Sequence, residues 1–271
     1  MNMRILQISD THLSVQHSHF LRNAEIISRH VRSQSPDLIV HTGDLSMDGA
    51  GGAVGDLEMA RDWNSDLPSE VLSIPGNHDV GDLPTLNPSQ GLNDEKLEQW
   101  RETIGPDCWV RDVGGWRLIG LNTMLCSTGH PDEEQQLTWL EEQLTDDRPI
   151  AIFSHKPLCI DELDEGPCGY WTIAPEPRAR LVSLLANKPI KLIASGHLHI
   201  QRQKVIEGVS HVWSPAASFV VGALQQDLGG ERVIGYVEHI FDAETVTSQF
   251  IRPDGVEDLE FDSHRSTIYP G

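Results

Sequence analysis

The strongest constraint on the fold is a local pattern that recurs along the chain: short apolar runs stop abruptly at polar residues able to bind a cation. Arg4-Ile5-Leu6-Gln7-Ile8-Ser9 runs into Asp10-Thr11-His12, Asp37-Leu38-Ile39-Val40-His41 leads to Gly43-Asp44, and Glu70-Val71-Leu72-Ser73-Ile74 leads to Gly76-Asn77-His78-Asp79. Residues 149–154 run into His155, and 190–195 into Gly196-His197-Leu198-His199. Apolar runs of this length, bounded by Gly and Pro, read as buried strands. Stretches of helical period lie between them at 21–33, 55–66 and 176–186, so the chain opens as β-α-β-α-β and predicts a largely parallel sheet.

Residues just past the carboxyl ends of parallel strands converge on one crevice, so the polar clusters are expected to meet. Asp10 and His12, like His197 and His199, are two apart, and in extended backbone both members of such a pair point to the same side. Further helices are expected at 97–104 and 131–144. A hairpin is expected where 108–113 and 116–122 flank Gly114-Gly115. From 203 onward the strands 203–206, 210–213, 232–240 and 245–251 follow without helices, so the sheet becomes mixed or antiparallel. The expected fold class is α/β, a four-layer α/β/β/α sandwich of two mixed sheets with flanking helices.

Composition narrows the partners. A formal net charge of −21 opposes binding to extended nucleic acid or to an anionic membrane, both of which need clustered Lys and Arg. A small phosphorylated substrate remains compatible if local cations offset the field. No stretch approaches the ~18 uninterrupted apolar residues of a membrane helix, and the opening residues run straight into Ser9-Asp10, so neither signal peptide nor anchor is expected. Cys108, Cys126, Cys159 and Cys168 form no CxxC pattern and fit a reducing cytoplasm, with a local Cys159–Cys168 bond as the alternative.

Imidazole and carboxylate donors suit borderline divalent ions such as Mn, Fe, Zn or Co, and no cluster contains a thiolate. Each cluster has a simpler reading when taken singly: Asp-x-His as a capping or surface pair, Gly43-Asp44 as a turn, His155 as a hydrogen-bonded core histidine. All of them in this order, each after an apolar strand, are hard to credit to chance.

In that order the clusters resemble the Asp-x-His, Gly-Asp, Gly-Asn-His-Asp/Glu, His and Gly-His-x-His motifs of the calcineurin-like metallophosphoesterases, over a span from Leu6 to about Ser214. The resemblance implies a catalytic domain over 1–252, with 253–271 an acidic tail packed on it or extending from it. It implies two divalent metal ions, one held by Asp10, His12, Asp44 and His199, the other by Asp44, Asn77, His155 and His197. His78 then stabilises or protonates the leaving oxygen, and Asp79 orients that imidazole. Two ions about 4 Å apart activate a bridging water as hydroxide for in-line attack on phosphorus.

Within the family, a Tyr ligand three residues after the bridging Asp marks purple acid phosphatases, and Met47 stands there instead. Gly43-Asp44-Leu45-Ser46-Met47-Asp48-Gly49 lacks the arginine of the Ser/Thr protein phosphatase motif. Ile8-Ser9-Asp10-Thr11-His12-Leu13 looks more like the bacterial cyclic-nucleotide and glycerophosphodiester phosphodiesterase branch, which favours a small phosphodiester over a phosphomonoester. A non-catalytic protein-binding scaffold is the rival from another class, and broken metal motifs are what would mark it.

The polar, Gly/Pro-punctuated loops 84–93 and 158–174 are placed to cover the crevice. Tyr170 and Trp171 in the second are candidates to stack on a substrate base, with burial as loop anchors the alternative. His17, His19 and His130 are further candidates for substrate contact, against a solvated loop role. The late strands and the tail offer a surface for a homodimer or higher homo-oligomer, and an ordinary capping role explains them equally well.

Overall fold

The computed structural model of the protein describes residues 2–263. The expected tail at 253–271 therefore lies partly outside the described residues. One sheet has five strands in the order β11-β10-β1-β2-β3 and contains β1 (Met3–Ile8), β2 (Leu38–His41), β3 (Val71–Ser73), β10 (Tyr236–Phe241) and β11 (Val246–Ile251). The other has six in the order β4-β5-β6-β7-β9-β8, with β4 (Trp109–Val113), β5 (Trp116–Leu121), β6 (Ile150–Ser154), β7 (Ile190–Ser195), β8 (Arg202–Ile206) and β9 (Val209–Trp213). β1, β2 and β3 are parallel, as are β5, β6, β7 and β9; β10, β11, β4 and β8 pair antiparallel to their neighbours.

The layers follow from the two-residue period of the strands. Along β1, Met3 and Ile5 face Trp116, Leu118, Phe153, Leu192 and Val212 in the core between the sheets. Their neighbours Leu6 and Ile8 face the other way, onto Ile27 and Val31 of helix α1 (Leu21–Val31). Ile119, Leu121, Ile152 and Ile193 likewise turn outward onto Leu140 and Leu181, which lie on two helices introduced below. The remaining helices are α2 (Asp56–Ser65), α3 (Asn77–Val80), α4 (Asp94–Thr103), α5 (Pro131–Gln143) and α6 (Pro175–Leu185), the last two carrying Leu140 and Leu181. This is the expected four-layer sandwich.

Most elements match the expected ranges to within two residues, and the starts of α4 and β10 depart by more. α4 starts at Asp94 rather than Leu97, because Asn93 accepts the Lys96 N–H at 3.0 Å and Asp94 and Glu95 sit at the positive helix end. The apolar period that betrays the helix begins only at Leu97. β10 begins at Tyr236 instead of Arg232. Gly76 caps the single helical turn α3, which Asn77, His78 and Asp79 begin.

Residues 253–263 run along their own chain. Val256 packs into the cluster around Ile27 and Val31, Asn23 and Glu257 exchange side-chain and backbone hydrogen bonds, and Glu260 forms a bridge with Val220. All four cysteines are free thiols, and the Cys168 S–H donates to Glu165 at 3.2 Å. No helix among the described residues is long and apolar enough to cross a membrane.

A polar thread crosses the apolar interior beneath the strand ends. The Gln7 amide on β1 donates to Thr42 Oγ1 at 3.0 Å and, across the sandwich, to the Ser195 carbonyl at 3.2 Å. His239 Nε2–H donates to Gln7 Oε1 at 3.1 Å, and its Nδ1 accepts from Ser248 Oγ at 2.8 Å. The ring is thus held neutral, and burial lowers its pKa from 6.5 to about 3. The unfolded chain protonates this histidine near 6.5 while the folded one does not, so folding loses stability as pH falls from about 6.5 toward 3. The slope reaches about 1.4 kcal/mol per pH unit for one such group. Urea unfolding in chelator between pH 7.5 and 5 is expected to show a shallower pH dependence for His239→Gln than for the natural chain; equal slopes would remove His239 from the linkage.

Candidate metal centre

Register brings the strand ends to one edge. Ile8 pairs with His41, His41 with Ser73, and Ser154 with Ser195, so the following residues leave both sheets on the same side. The loops then bind one another: Asp10 N–H donates to the Gly43 carbonyl, His12 N–H to the Asp44 carbonyl, and Gly196 N–H to the His155 carbonyl. Contact between the sheets comes from the Asp10 carboxylate, which accepts the His197 N–H at 3.1 Å, and from His155 Nδ1–H, which donates to the Thr42 carbonyl at 2.7 Å. Gly196 permits that approach, since a Cβ there would lie 2.0 Å from Ser9 Oγ.

The way in which the side chains converge corrects the extended-backbone expectation. Asp10, His12, Asp44, His197 and His199 all have left-handed φ, at 55°, 44°, 50°, 68° and 52°. Such conformations are uncommon outside glycine, with Asp, Asn and His the residues that tolerate them best. The partners in Asp10/His12 and His197/His199 do meet, but through coiled backbone that turns each side chain toward the same point.

Three groups of donors could each hold an ion, with all ligand atoms of a group within 4.8 Å: Asp10, His12 and His199; His12, Asp44 and His78; Asp44, His155 and His197. Asp44 joins the two halves. Its Oδ2 lies 3.7 Å from His12 Nε2 and 3.3 Å from His155 Nε2. Asn77 Oδ1 lies 3.2 Å from His155 Nε2, and Asp10 Oδ1 lies 3.2 Å from His199 Nε2. The structure thus gathers Asp10, His12, Asp44, Asn77, His155, His197 and His199, every one buried.

The donor chemistry fits metal ions. His155 and His199 donate Nδ1–H to the Thr42 and Phe219 carbonyls, both at 2.7 Å, which leaves Nε2 of each neutral ring as a lone pair facing the cluster. His197 is held the other way round, Nε2–H donating to the Tyr170 carbonyl at 2.9 Å, so Nδ1 is its free lone pair. Fixing the tautomer of a ligand through its second nitrogen is the usual support of a metal-binding imidazole. His12 Nε2 and His199 Nε2 lie 3.3 Å apart, and Asp10 Oδ1 is buried without a hydrogen-bond partner. A cation between these donors satisfies all of them.

Electrostatics agree. Burial lowers His12 and His197 well below the ordinary imidazole range, with neighbouring imidazoles adding to the effect. Burial opposes the charged form of Asp44 and of His155, yet their mutual attraction prevails: Asp44 falls well below the usual carboxylate range and His155 rises to about 9. A proton and a metal ion therefore compete for the same place.

Asp79 does something other than expected. Its carboxylate accepts the Leu45, Ser46 and Gly76 N–H groups and the Ser46 hydroxyl, at 2.7–3.1 Å. It stitches the loop after β2 to the start of α3. The His78 ring is instead fixed by Nδ1–H donating to the Met47 carbonyl at 2.7 Å, while the His78 N–H donates to Asp44 Oδ1 at 2.8 Å. Burial, then the nearby Asp44 charge, raises Asp79 to about 6.

A cavity of about 500 Å³ opens over the cluster, lined by His12, Asp44, His78, His197 and His199 at its base. Leu86, Asn87, Ser89 and Gln90 from the first expected covering loop and Tyr170 and Trp171 from the second form part of its wall. Tyr170 is also an anchor: its hydroxyl oxygen accepts from Asn77 Nδ2 at 2.8 Å, and Lys156 Nζ, paired with Asp82 at 2.6 Å, sits 4.9 Å from its ring centre. His17, His19 and His130 do not line the cavity; His130 pairs with Asp94 at 2.7 Å and caps α5. Sequence reasoning missed the opposite wall, made by Phe219, Val221, Leu224, Gln225 and Phe261. The one signal for it is the apolar run Ala216-Ala217-Ser218-Phe219-Val220-Val221, which has the composition of a strand but no sheet to join.

Comparison with known proteins agrees with this geometry. A human protein named serine/threonine-protein phosphatase CPPED1 is 27% identical over 201 residues, covering 69% of this chain, and the chain spans only 59% of that protein's length. A probable cyclic nucleotide phosphodiesterase from Synechococcus sp. is 27% identical over 226 residues, covering 77% of this chain and 76% of the relative. The second match agrees with the expected branch. Among solved structures, purple acid phosphatase from yellow lupin superimposes with a TM-score of 0.67 at 16% identity, covering 95% of this chain and 53% of that one, a likeness of fold. The family model for calcineurin-like phosphoesterases matches residues 3–201, a stretch that takes in every motif gathered at this edge of the sandwich, and to that family the chain belongs.

Proposed function

We propose that the protein is a binuclear metallophosphoesterase whose substrate is a small phosphodiester. The observation that carries this reading is the position of Asp44, whose one carboxylate reaches His12 on one side and His155 on the other. Asp10, His12, Asp44 and His199 hold one ion, and Asp44, Asn77, His155 and His197 the second. Bound there, two divalent ions supply Lewis acidity toward phosphoryl oxygens and lower the pKa of water. Mn, Fe, Zn and Co all suit these donors.

The chain's own groups do the rest. His78 lines the cavity with Nδ1–H tied to the Met47 carbonyl, so in its imidazolium form Nε2–H is the group that gives its proton to the departing oxygen, leaving the neutral ring with Nδ1–H in place. Asp79 keeps the Asp44 loop and α3 in register, so Asp44 and His78 hold their separation. Tyr170 fixes Asn77 and His197 from the cavity wall. With ions held by these residues, the base of an otherwise acidic protein would be an anion site, while the overall −21 charge disfavours extended nucleic acid. The four free thiols support a cytoplasmic setting.

Removing the shared ligand should be more costly than removing the proton donor. Asp44→Asn is expected to lose both ions by elemental analysis, and full metal occupancy in that variant contradicts the bridging role. His78→Gln is expected to keep its metal content and lose about 10²–10⁴-fold in kcat; a variant that turns over normally removes His78 from the chemistry.

A monoesterase is the second reading, favoured by the similarity to a protein named as a phosphatase. The metal-reconstituted chain is expected to hydrolyse bis(p-nitrophenyl) phosphate faster than p-nitrophenyl phosphate, and turnover of the monoester alone reverses the choice.

A further inference from the structure

The wall that sequence reasoning missed carries an unused recognition group. Phe219 lies against the metal-binding imidazoles, its ring 4.7 Å from His12 and 4.7 Å from His199, and stacks on Phe261 at 4.9 Å and 27°. Six residues along the same segment, Gln225 also lines the cavity. Its side chain is buried, at 1% exposure, and neither Oε1 nor Nε2 has a hydrogen-bond partner among the described residues. Burying an amide unsatisfied is costly in a native protein, and such groups call for an explanation. The amides on the facing wall are already occupied: Asn87 Nδ2 donates to Gln90 Oε1 at 2.9 Å, Ser89 Oγ donates to Asn87 Oδ1 at 2.9 Å, and Gln90 donates to Asp48. Gln225 therefore stands out along this cavity as an amide with its hydrogen-bonding capacity intact.

We propose that Gln225 and the Phe219–Phe261 wall form a base subsite, and that the phosphodiester cleaved at the adjacent centre carries an adenine. The assignment of a cleaved diester rests on the phosphoesterase reading, whereas the base subsite itself does not. An amide presents an acceptor beside a donor, and the adenine edge that complements it is N6–H beside N7. Oε1 accepts from N6–H, Nε2 donates to N7, and the aromatic wall supplies the apolar surface for the ring. A guanine held by the same N7 edge places two acceptors there, O6 and N7, so Oε1 faces an oxygen and the buried amide stays half satisfied. A site built to hydrogen-bond one pattern rejects the other for that reason.

The test separates binding from turnover. Isothermal titration calorimetry of the full chain with adenosine, guanosine and 7-deazaadenosine needs no hydrolysis. Adenosine is expected to bind about tenfold or more tightly than either of the others, 7-deazaadenosine being weak because it lacks the N7 acceptor. Equal affinities, or no binding of adenosine, overturn the proposal. With the metal-reconstituted chain, the ratio of kcat/KM for cyclic AMP over cyclic GMP is expected to fall toward one in Gln225→Leu. Because a general loss of structure scales both substrates alike, an unchanged ratio also overturns it. A chain that binds adenosine selectively but cleaves no ester keeps the subsite and loses the hydrolase reading; one that cleaves bis(p-nitrophenyl) phosphate without preferring adenosine does the reverse.

Discussion

Two hydrogen bonds across the sandwich make one centre out of two half-sites. Asp10 and Asp44 leave the five-stranded sheet, and His155, His197 and His199 leave the six-stranded one. Each group would be an incomplete set of donors by itself. The His197 N–H bound to the Asp10 carboxylate and the His155 ring bound to the Thr42 carbonyl pull the two edges together. The Gln7 amide reaching the Ser195 carbonyl adds a third tie one layer below. Sheet packing alone leaves strand ends about 10 Å apart, too far for ligands of one ion. The glycine at 196 closes that gap because there is no side chain to hold the loops apart.

The fold was readable in the sequence because its elements announce themselves locally. β1, β2, β6 and β7 are apolar runs buried on both faces, and α1 shows its apolar stripe in Ile27 and Val31. The candidate ligands were readable for a related reason, since each follows its strand by only a few positions and the strands are parallel. What could not be read depends on geometry without a local signature. The left-handed backbone at Asp10 or His199 follows from contact with neighbouring loops, not from any period along the chain. The work of Asp79 depends on N–H groups contributed more than thirty residues away, at Leu45 and Ser46, whereas the family resemblance implied that it orients His78.

The cavity wall at Phe219, Leu224 and Gln225 was hidden for another reason. It lies on the connection between β9 and β10, where Leu224 and Gln225 sit on a short 3-10 helix over Ala223–Leu228, and no repeat of polar and apolar residues marks a side that faces a ligand. Phe261 reaches the same wall from a segment that looked like an acidic tail. The base of the cavity and its wall thus come from different kinds of chain: strand ends for the first, late connections and the C-terminal segment for much of the second.

The left-handed conformations at Asp10, His12, Asp44, His197 and His199 bear on how descent can be read in such a chain. The backbone itself admits few residue types at these places, chiefly Gly, Asn, Asp and His. A descendant that had lost its chemistry would still be held to that short menu by steric demand, long after selection for activity had lapsed. Survival of these letters is then weak testimony for catalysis. Asn77 and His155 are absent from the set of positive-φ residues, so backbone conformation does not hold them to that short menu.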